Sequence, residues 1–209
     1  MDDAPGVLVL GATWGVDSFD RWIDEQFDAL RGRPLVDRVM YGASTVGEHG
    51  GVWLLICLVL LVRPTSRRRA LRALLWLGIE SVLVNGPMKM AFRRQRPERP
   101  DAQPHRLRVQ TTSSFPSGHS ASSATMATIL SEGSPWVPAW WAVALTIAVS
   151  RVHVRDHHAS DVMGGLAVGT GLGMLGRRLG PHDASTRGGL DRVIDVALDP
   201  SGRVRGLGI

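Results

Sequence analysis

The sequence predicts an all-α, membrane-embedded bundle of about five or six helices, and three observations predict it. Five apolar stretches follow one another after residue 45. A spanning helix needs about 17–25 mainly apolar residues, and the first, second and fourth stretches reach that length once their flanks are counted. Gly165, Gly169 and Gly173 recur at every fourth position, which lets helix backbones approach closely in lipid. Helices are also the one open-ended element that satisfies its own backbone inside a bilayer. The alternative is a soluble all-helical protein with buried helices, and the length of the apolar runs speaks against it.

In chain order, residues 1–45 read as an amphipathic N-terminal segment. Phe19, Trp22, Ile23, Phe27 and Leu30 recur at helical spacing, with Asp17 or Ser18 as the expected N-cap. The polar face of this helix (Asp20, Asp24, Glu25, Asp28) is acidic, which favours packing on the domain over attraction to an anionic membrane surface. Asp2 and Asp3 stand where a signal peptide would be basic, and the run from Gly6 to Val16 has no clear cleavage site after it.

The membrane-embedded domain is expected over residues 46–178. Its stretches run from Val46 to Val62, Ala70 to Met88, His119 to Leu130, Ser134 to Ser150 and Val162 to Gly176. Glu80, in the second, should face the bundle and find a partner. Trp136, Trp140 and Trp141, in the fourth, fit an interfacial belt. Residues 179–209 form a polar tail, in which Leu190, Val193, Ile194, Ala197 and Leu198 suit a short amphipathic helix. If all five stretches span, the connections 89–118 and 151–158 share one side, and chemistry is expected there.

Composition narrows the function. A chain of 209 residues fits one domain, and its mean hydropathy of +0.03 averages polar ends with an apolar middle. The formal charge is +5, and Lys89 is the only lysine among 24 basic residues. These residues flank apolar runs and no nucleic-acid motif accompanies them, so no nucleic-acid partner is expected. Cys57 is the only cysteine, which excludes an internal disulfide and a cysteine-based zinc site.

Three clusters carry chemistry, each at the water end of an apolar stretch. In Lys89-Met-Ala-Phe-Arg-Arg-Gln-Arg96-Pro97, Lys89 and Arg96 are two helical turns apart and can share a face, with Pro97 ending the helix. A lysine point charge beside an arginine fork suits phosphate. In Ser113-Ser-Phe-Pro116-Ser117-Gly118-His119, Ser117 can cap the third helix and Gly118 lets backbone come close to a ligand. The helix N-terminus then favours an anion, and His119 beside it can give or take a proton. In Ser150-Arg151-Val-His153-Val-Arg-Asp-His157-His158-Ala-Ser-Asp161, His157 and Asp161 are at i and i+4, so the carboxylate can orient one imidazole nitrogen and leave the other for substrate. His153, His157 and Asp161 also read as a metal face, although the surrounding positive charge makes a cation unwelcome.

Taken together, Lys-x6-Arg-Pro, Pro-Ser-Gly-His and Ser-Arg-x5-His-x3-Asp resemble the signature of the type 2 phosphatidic acid phosphatase family, whose fold is shared with vanadium haloperoxidases. The match runs from Lys89 to Asp161. The resemblance implies that Lys89, Arg96 and Arg151 bind phosphate oxygens, with Ser117 and Gly118 completing the cradle. It implies His157 as nucleophile, Asp161 as its orienting group and His119 as the acid that protonates the leaving oxygen and later activates water. His153 and His158 lie off the pattern, and Arg93, Arg94, Arg99, Arg106, Arg108 and Arg155 are expected mostly to form a solvated basic face.

The expected reaction is hydrolysis of a lipid phosphate without a metal or other cofactor. Phosphatidate-type lipids, polyprenyl phosphates or diphosphates and polyprenyl-linked sugar phosphates are the candidate substrates. A vanadium haloperoxidase and a non-catalytic phospholipid-binding or transport protein are the rival readings. The sequence sets no oligomeric state. Arg63, Arg67, Arg68, Arg69, Arg72, Arg177 and Arg178 fall on the side opposite the clusters. The positive-inside rule makes that side cytoplasmic and turns the site outward, in a bacterial plasma membrane.

Overall fold

The computed structural model describes residues 7–99 and 110–179, with side chains from residue 15. All regular structure among them is helical. Helix α1 (Val7–Asp28) starts well before Asp17 and Ser18, so neither caps it. No proline lies between Pro5 and Pro34 to set a later start. Helix α2 (Pro34–Val46) opens on proline, whose missing N–H costs nothing in a first turn. His49 (φ 53°) and Gly50 (φ 69°) then take left-handed conformations and break the chain. The expected helix from Val46 to Val62 is therefore only α3 (Gly51–Leu61).

Helix α4 (Pro64–Leu83) carries Arg67, Arg68, Arg69 and Arg72 in its first turns, so its apolar part is shorter than the helix. A π-helical turn, Val84–Met88, follows, with Gly86 and Pro87 inside it, and the one-turn helix α5 (Lys89–Phe92) completes the run. Helices α6 (Gly118–Leu130), α7 (Val137–His153) and α8 (Ala159–Arg178) match the last three stretches closely. The helix expected around Leu190 lies outside the described residues.

Helix α6 is the axis of the bundle: every residue from Ser120 to Leu130 is buried. Its Ala and Ser side chains are small, so neighbours come close. A Cβ on Gly165 or Gly169 would collide with the carbonyl oxygens of Ser117 and Ala121, and one on Gly173 would stand 2.6 Å from Thr128 Cβ. The glycine stripe thus presses the α8 backbone onto α6, where Thr125 Oγ1 donates to the Gly169 carbonyl at 3.0 Å. Trp53 from α3 donates to Ser123 Oγ at 3.1 Å. Trp53, Cys57, Ala73, Trp76, Met126 and Ile129 belong to one apolar core.

Arg69 donates to the Leu130 and Glu132 carbonyls, and Arg72 pairs with Glu132, which fixes the arginine-rich start of α4 beside the α6–α7 turn. Helix α1 docks by its acidic face. Asp20 is 5% exposed, and Asp28 takes Arg31 and Arg155, both at 2.7 Å. Ile23 and Phe27 cover Val152, Ala159 and Val162, while Trp22 stays 56% exposed. No single described helix is long and apolar enough to cross a membrane, contrary to the expectation for the first, second and fourth stretches. Among the described residues, the pair Pro34–Val46 and Glu48–Leu61, bent by 61°, is together long and apolar enough to do so. Exposed apolar side chains nevertheless continue around the bundle, among them Leu55 and Leu58 on α3, Val82 on α4, Leu145 on α7 and Met174 on α8.

Candidate active site

The three clusters meet at one end of the bundle. Ser117 caps α6, its Oγ accepting from Ser120 N at 3.4 Å and from Ser120 Oγ at 2.9 Å. The Ser117 N–H is taken by the Asp161 carbonyl at 3.0 Å, so the first-turn donors left without intrahelical acceptors are those of Gly118 and His119. Asp161 sits in the first turn of α8, where Oδ2 accepts from His158 N at 2.9 Å and from Ser114 Oγ.

His157 precedes α8, so it and Asp161 do not share a helix face as the spacing suggested. The two meet because the chain turns sharply after α7: Arg155 is left-handed (φ 53°), and the N–H groups of Asp156 and His157 both donate to the Arg151 carbonyl. His157 Nδ1 stands 3.8 Å from Asp161 Oδ2, and Nε2 lies 3.3 Å from Arg96 Nη1. Lys89 and Arg96 do not share a helix either. The helix stops at Phe92, before a left-handed Arg93 (φ 43°), and not at Pro97. Arg96 is instead held on an extended segment, donating to the carbonyls of Thr112 (3.1 Å) and Asp156 (2.9 Å).

Lys89, Arg96, Gly118, His119 and His157 line one cavity of about 460 Å³. Arg151, Ser117 and Asp161 are not in its wall. Arg151 lies behind it, bonded to Ser44 on α2 and to Asp156. A second cavity, which also touches His157, is lined by Asp17, Asp20 and Asp24 together with Arg21, Arg94 and Arg155, a wall of mixed charge. Burial pulls the Lys89 ammonium down to about 8, with Arg96 and Arg151 adding to the effect and Glu80 opposing it. Burial likewise pushes the His157 imidazole down to about 3, with the nearby Asp161 carboxylate opposing the shift and Arg96 and Arg151 adding to it, so it is neutral at physiological pH.

Several residues at the site escaped the sequence reading. Asp156 is fully buried and pairs with Arg96, Arg99 and Arg151. Its signal was faint: a lone acid inside a run of arginines and histidines. Arg94 bridges Asp161 Oδ1 and Asp20 Oδ2, both at 2.7 Å, and Asp20 also accepts from Ser160 N at 2.8 Å. Arg94 and Arg99 are therefore not a solvated basic face, because the buried carboxylates of Asp20, Asp161 and Asp156 require their charge; Arg155 pairs with the part-exposed Asp24 and Asp28 of α1. Arg106 and Arg108 lie outside the described residues. His153 turns away from His157 and pairs with Asp37 on α2 at 2.8 Å, so His153, His157 and Asp161 form no metal face. Among the described residues no group of three or more His, Cys, Asp or Glu is placed to hold a metal. Glu80 also departs from expectation: it is 1% exposed and lines the cavity, but its Oε1 has no hydrogen-bond partner.

The PAP2 superfamily profile matches residues 69–182. The chain belongs to the PAP2 superfamily. This match starts within α4, so α1 and α2, which supply Asp20, Asp37 and Ser44 to this PAP2 site, lie outside it. The chain is 32% identical over 151 residues to the decaprenylphosphoryl-5-phosphoribose phosphatase of Mycobacterium tuberculosis, covering 70% of this chain and 82% of that one. To the phosphatase of the same name from Mycolicibacterium smegmatis it is 35% identical over 142 residues, 66% of this chain and 75% of the relative. Two solved structures share the PAP2 fold. A transmembrane PAP2-type phosphatidylglycerolphosphate phosphatase from Bacillus subtilis superposes with a TM-score of 0.64 at 25% identity, over 84% of this chain and 94% of its own. LpxE of Aquifex aeolicus gives 0.60 at 23% identity, over 77% and 93%. The all-helical PAP2 architecture expected from the sequence is the one found.

Proposed function

We propose that this PAP2 protein is a membrane-embedded, metal-independent phosphatase that cleaves a lipid phosphate through a phosphohistidine on His157. The observation that carries this reading is the setting of His157. Nδ1 faces a carboxylate, while Nε2 faces Arg96 in a cavity shared with Lys89, Gly118 and His119. The Nε2 lone pair attacks phosphorus. The P–O ester bond breaks, and the leaving oxygen takes its electron pair and a proton from His119. Water then attacks phosphorus while His119 takes its proton; the N–P bond breaks with its electron pair returning to Nε2, which releases phosphate and restores His157. Lys89, Arg96 and the Gly118 and His119 N–H groups stabilise the charge on the transferring group, with Arg151 supporting from behind. That set of cations does the work a metal would otherwise do.

The relatives named as decaprenylphosphoryl-5-phosphoribose phosphatases favour hydrolysis over haloperoxidase chemistry or passive lipid binding. They also favour a polyprenyl-linked sugar phosphate among the candidate substrates. The exposed apolar residues on α3, α4, α7 and α8, with the likeness to a transmembrane relative, support a site at the bilayer interface. Rapid quench with phosphorus-labelled substrate should trap label on His157, in protein that keeps its activity in EDTA. His157→Ala should abolish turnover, and His119→Ala should slow it roughly 10²–10⁴-fold. Label on serine or aspartate, or a strict need for magnesium or zinc, would overturn the mechanism.

A further inference from the structure

The cavity that holds His157 is larger than a phosphate needs, and its wall is mixed in chemistry. Lys89, Arg96, Gly118, His119 and His157 share it with Glu80, Ser81 and Asn85 from α4 and the π-turn, and with Glu48 from the break before α3. We propose that the Glu80 and Asn85 part of this wall is a hydroxyl-binding subsite, in which the two side chains read the sugar that bears the departing phosphate. The proposal rests on the phosphatase reading above and adds to it a residue-level basis for substrate choice.

Glu80 is the central observation. It is 1% exposed, and Oε1 is buried without a partner. A buried acceptor left unpaired is costly, and natural structures rarely keep one without a use. Lys89 carries the nearest opposing charge, but the two form no ion pair; Lys89 Nζ reaches Thr112 Oγ1 instead, at 3.5 Å. Glu80 is thus placed to accept hydrogen bonds from a ligand. Asn85 also touches the phosphate-binding groups. Its Oδ1 lies against Gly118, so close that a Cβ there would be 3.0 Å away, and its Nδ2 donates to Ser81 Oγ at 3.4 Å.

The π-turn accounts for the alignment. Residues four apart drift by about 40° per step around an α-helix, and the wider turn at Val84–Met88 offsets that drift. Ser81, Asn85 and Lys89 therefore all line the cavity, one turn after another. Such bulges recur at functional sites.

The chemistry of this part of the wall discriminates among lipid phosphates. A sugar offers hydroxyl donors to a carboxylate and to an amide oxygen. The second phosphate of a diphosphate offers no sugar hydroxyl there, and the acylglycerol of phosphatidate has no free hydroxyl to donate. The wall therefore selects the sugar phosphate by the hydroxyls it donates.

The test uses purified full-length protein in detergent with three substrates: a short-chain polyprenylphosphoryl-ribose 5-phosphate, phosphatidate and a polyprenyl diphosphate. In Glu80→Gln the ratio of kcat/KM for the sugar phosphate to that for phosphatidate should fall about tenfold or more, the usual effect of losing a hydrogen bond to a charged group. Asn85→Leu, at an exposed position, should lower the sugar ratio in the same direction and carries the test if Glu80→Gln folds poorly. Vanadate reports on the phosphate-binding groups alone, so its inhibition constant should shift far less than the sugar ratio. Ratios that do not move, or a vanadate constant that shifts in parallel, would overturn the subsite, the latter by showing that Glu80 acts through Lys89. Wild-type protein that hydrolyses phosphatidate but not the sugar phosphate would overturn the subsite and leave the phosphatase standing. Wild-type protein that releases phosphate from none of the three would overturn both.

Discussion

Lys89 carries its charge against the pull of its surroundings. Burial, Arg96 and Arg151 hold its ammonium near 8, so in the free enzyme it is protonated below that pH and loses its proton above it. Its contribution to phosphate binding is therefore present on the acid side and lost as pH rises through about 8. We expect kcat/KM, which reports the free enzyme, to fall along that limb. In Lys89→Arg the limb should disappear, because a guanidinium stays charged throughout the range; a limb that survives the substitution would assign it to another group. Lys89, Arg96, His119 and His157 were legible in the sequence because each stands at a fixed distance from a proline, glycine or aspartate that punctuates the chain. Asp156, Arg94 and Asp20 were not. Their importance comes from burial and from partners up to 140 residues away, which no spacing rule encodes.

Helix α1 shows the same limit for an element. Its apolar periodicity was readable, but its docking face was not: the acidic side turns inward onto Arg94, Ser160, Arg31 and Arg155, and Trp22 turns outward. Asp20 holds Arg94, and Arg94 holds the carboxylate that faces His157. Asp20→Asn should lower kcat by about tenfold, equivalent to about 1.4 kcal/mol at the transition state, with a smaller change in KM. A KM effect that equals or exceeds the kcat effect would show that α1 serves binding and not the placement of Asp161. The start of α6 was legible from Ser117, which caps it. The break at His49 and Gly50 was not, because a short polar tetrapeptide beside apolar residues carries too little signal to outweigh the run that follows it.

At the scale of the molecule, the two ends of the bundle differ. Asp20, Lys89, Arg96, Ser117 and His157 gather at one; Arg69, Arg72 and the α6–α7 turn gather at the other. The sequence foresaw this division, since an even number of helices separates the connections that share a side. It overestimated the helices themselves, because arginines count toward the length of α4 without adding apolar surface. We propose that the arginine-rich end is cytoplasmic, as the positive-inside rule expects, and that the site faces outward. Gln103→Cys in a Cys57→Ser background should then react with a membrane-impermeant thiol reagent in intact cells. Labelling only after the cells are opened would reverse the orientation.

The π-turn between α4 and α5 also sets a phase. Were Val84–Met88 to close into regular α form with all five residues kept, the drift would return and Lys89 would stand about 80° around the axis from Ser81. Lys89 would swing out of the cavity while every residue of the phosphate-binding pattern kept its identity. A comparison of sequences by composition alone would see nothing missing. The turn between Glu80 and Lys89 is therefore as much a part of the site as the side chains it presents.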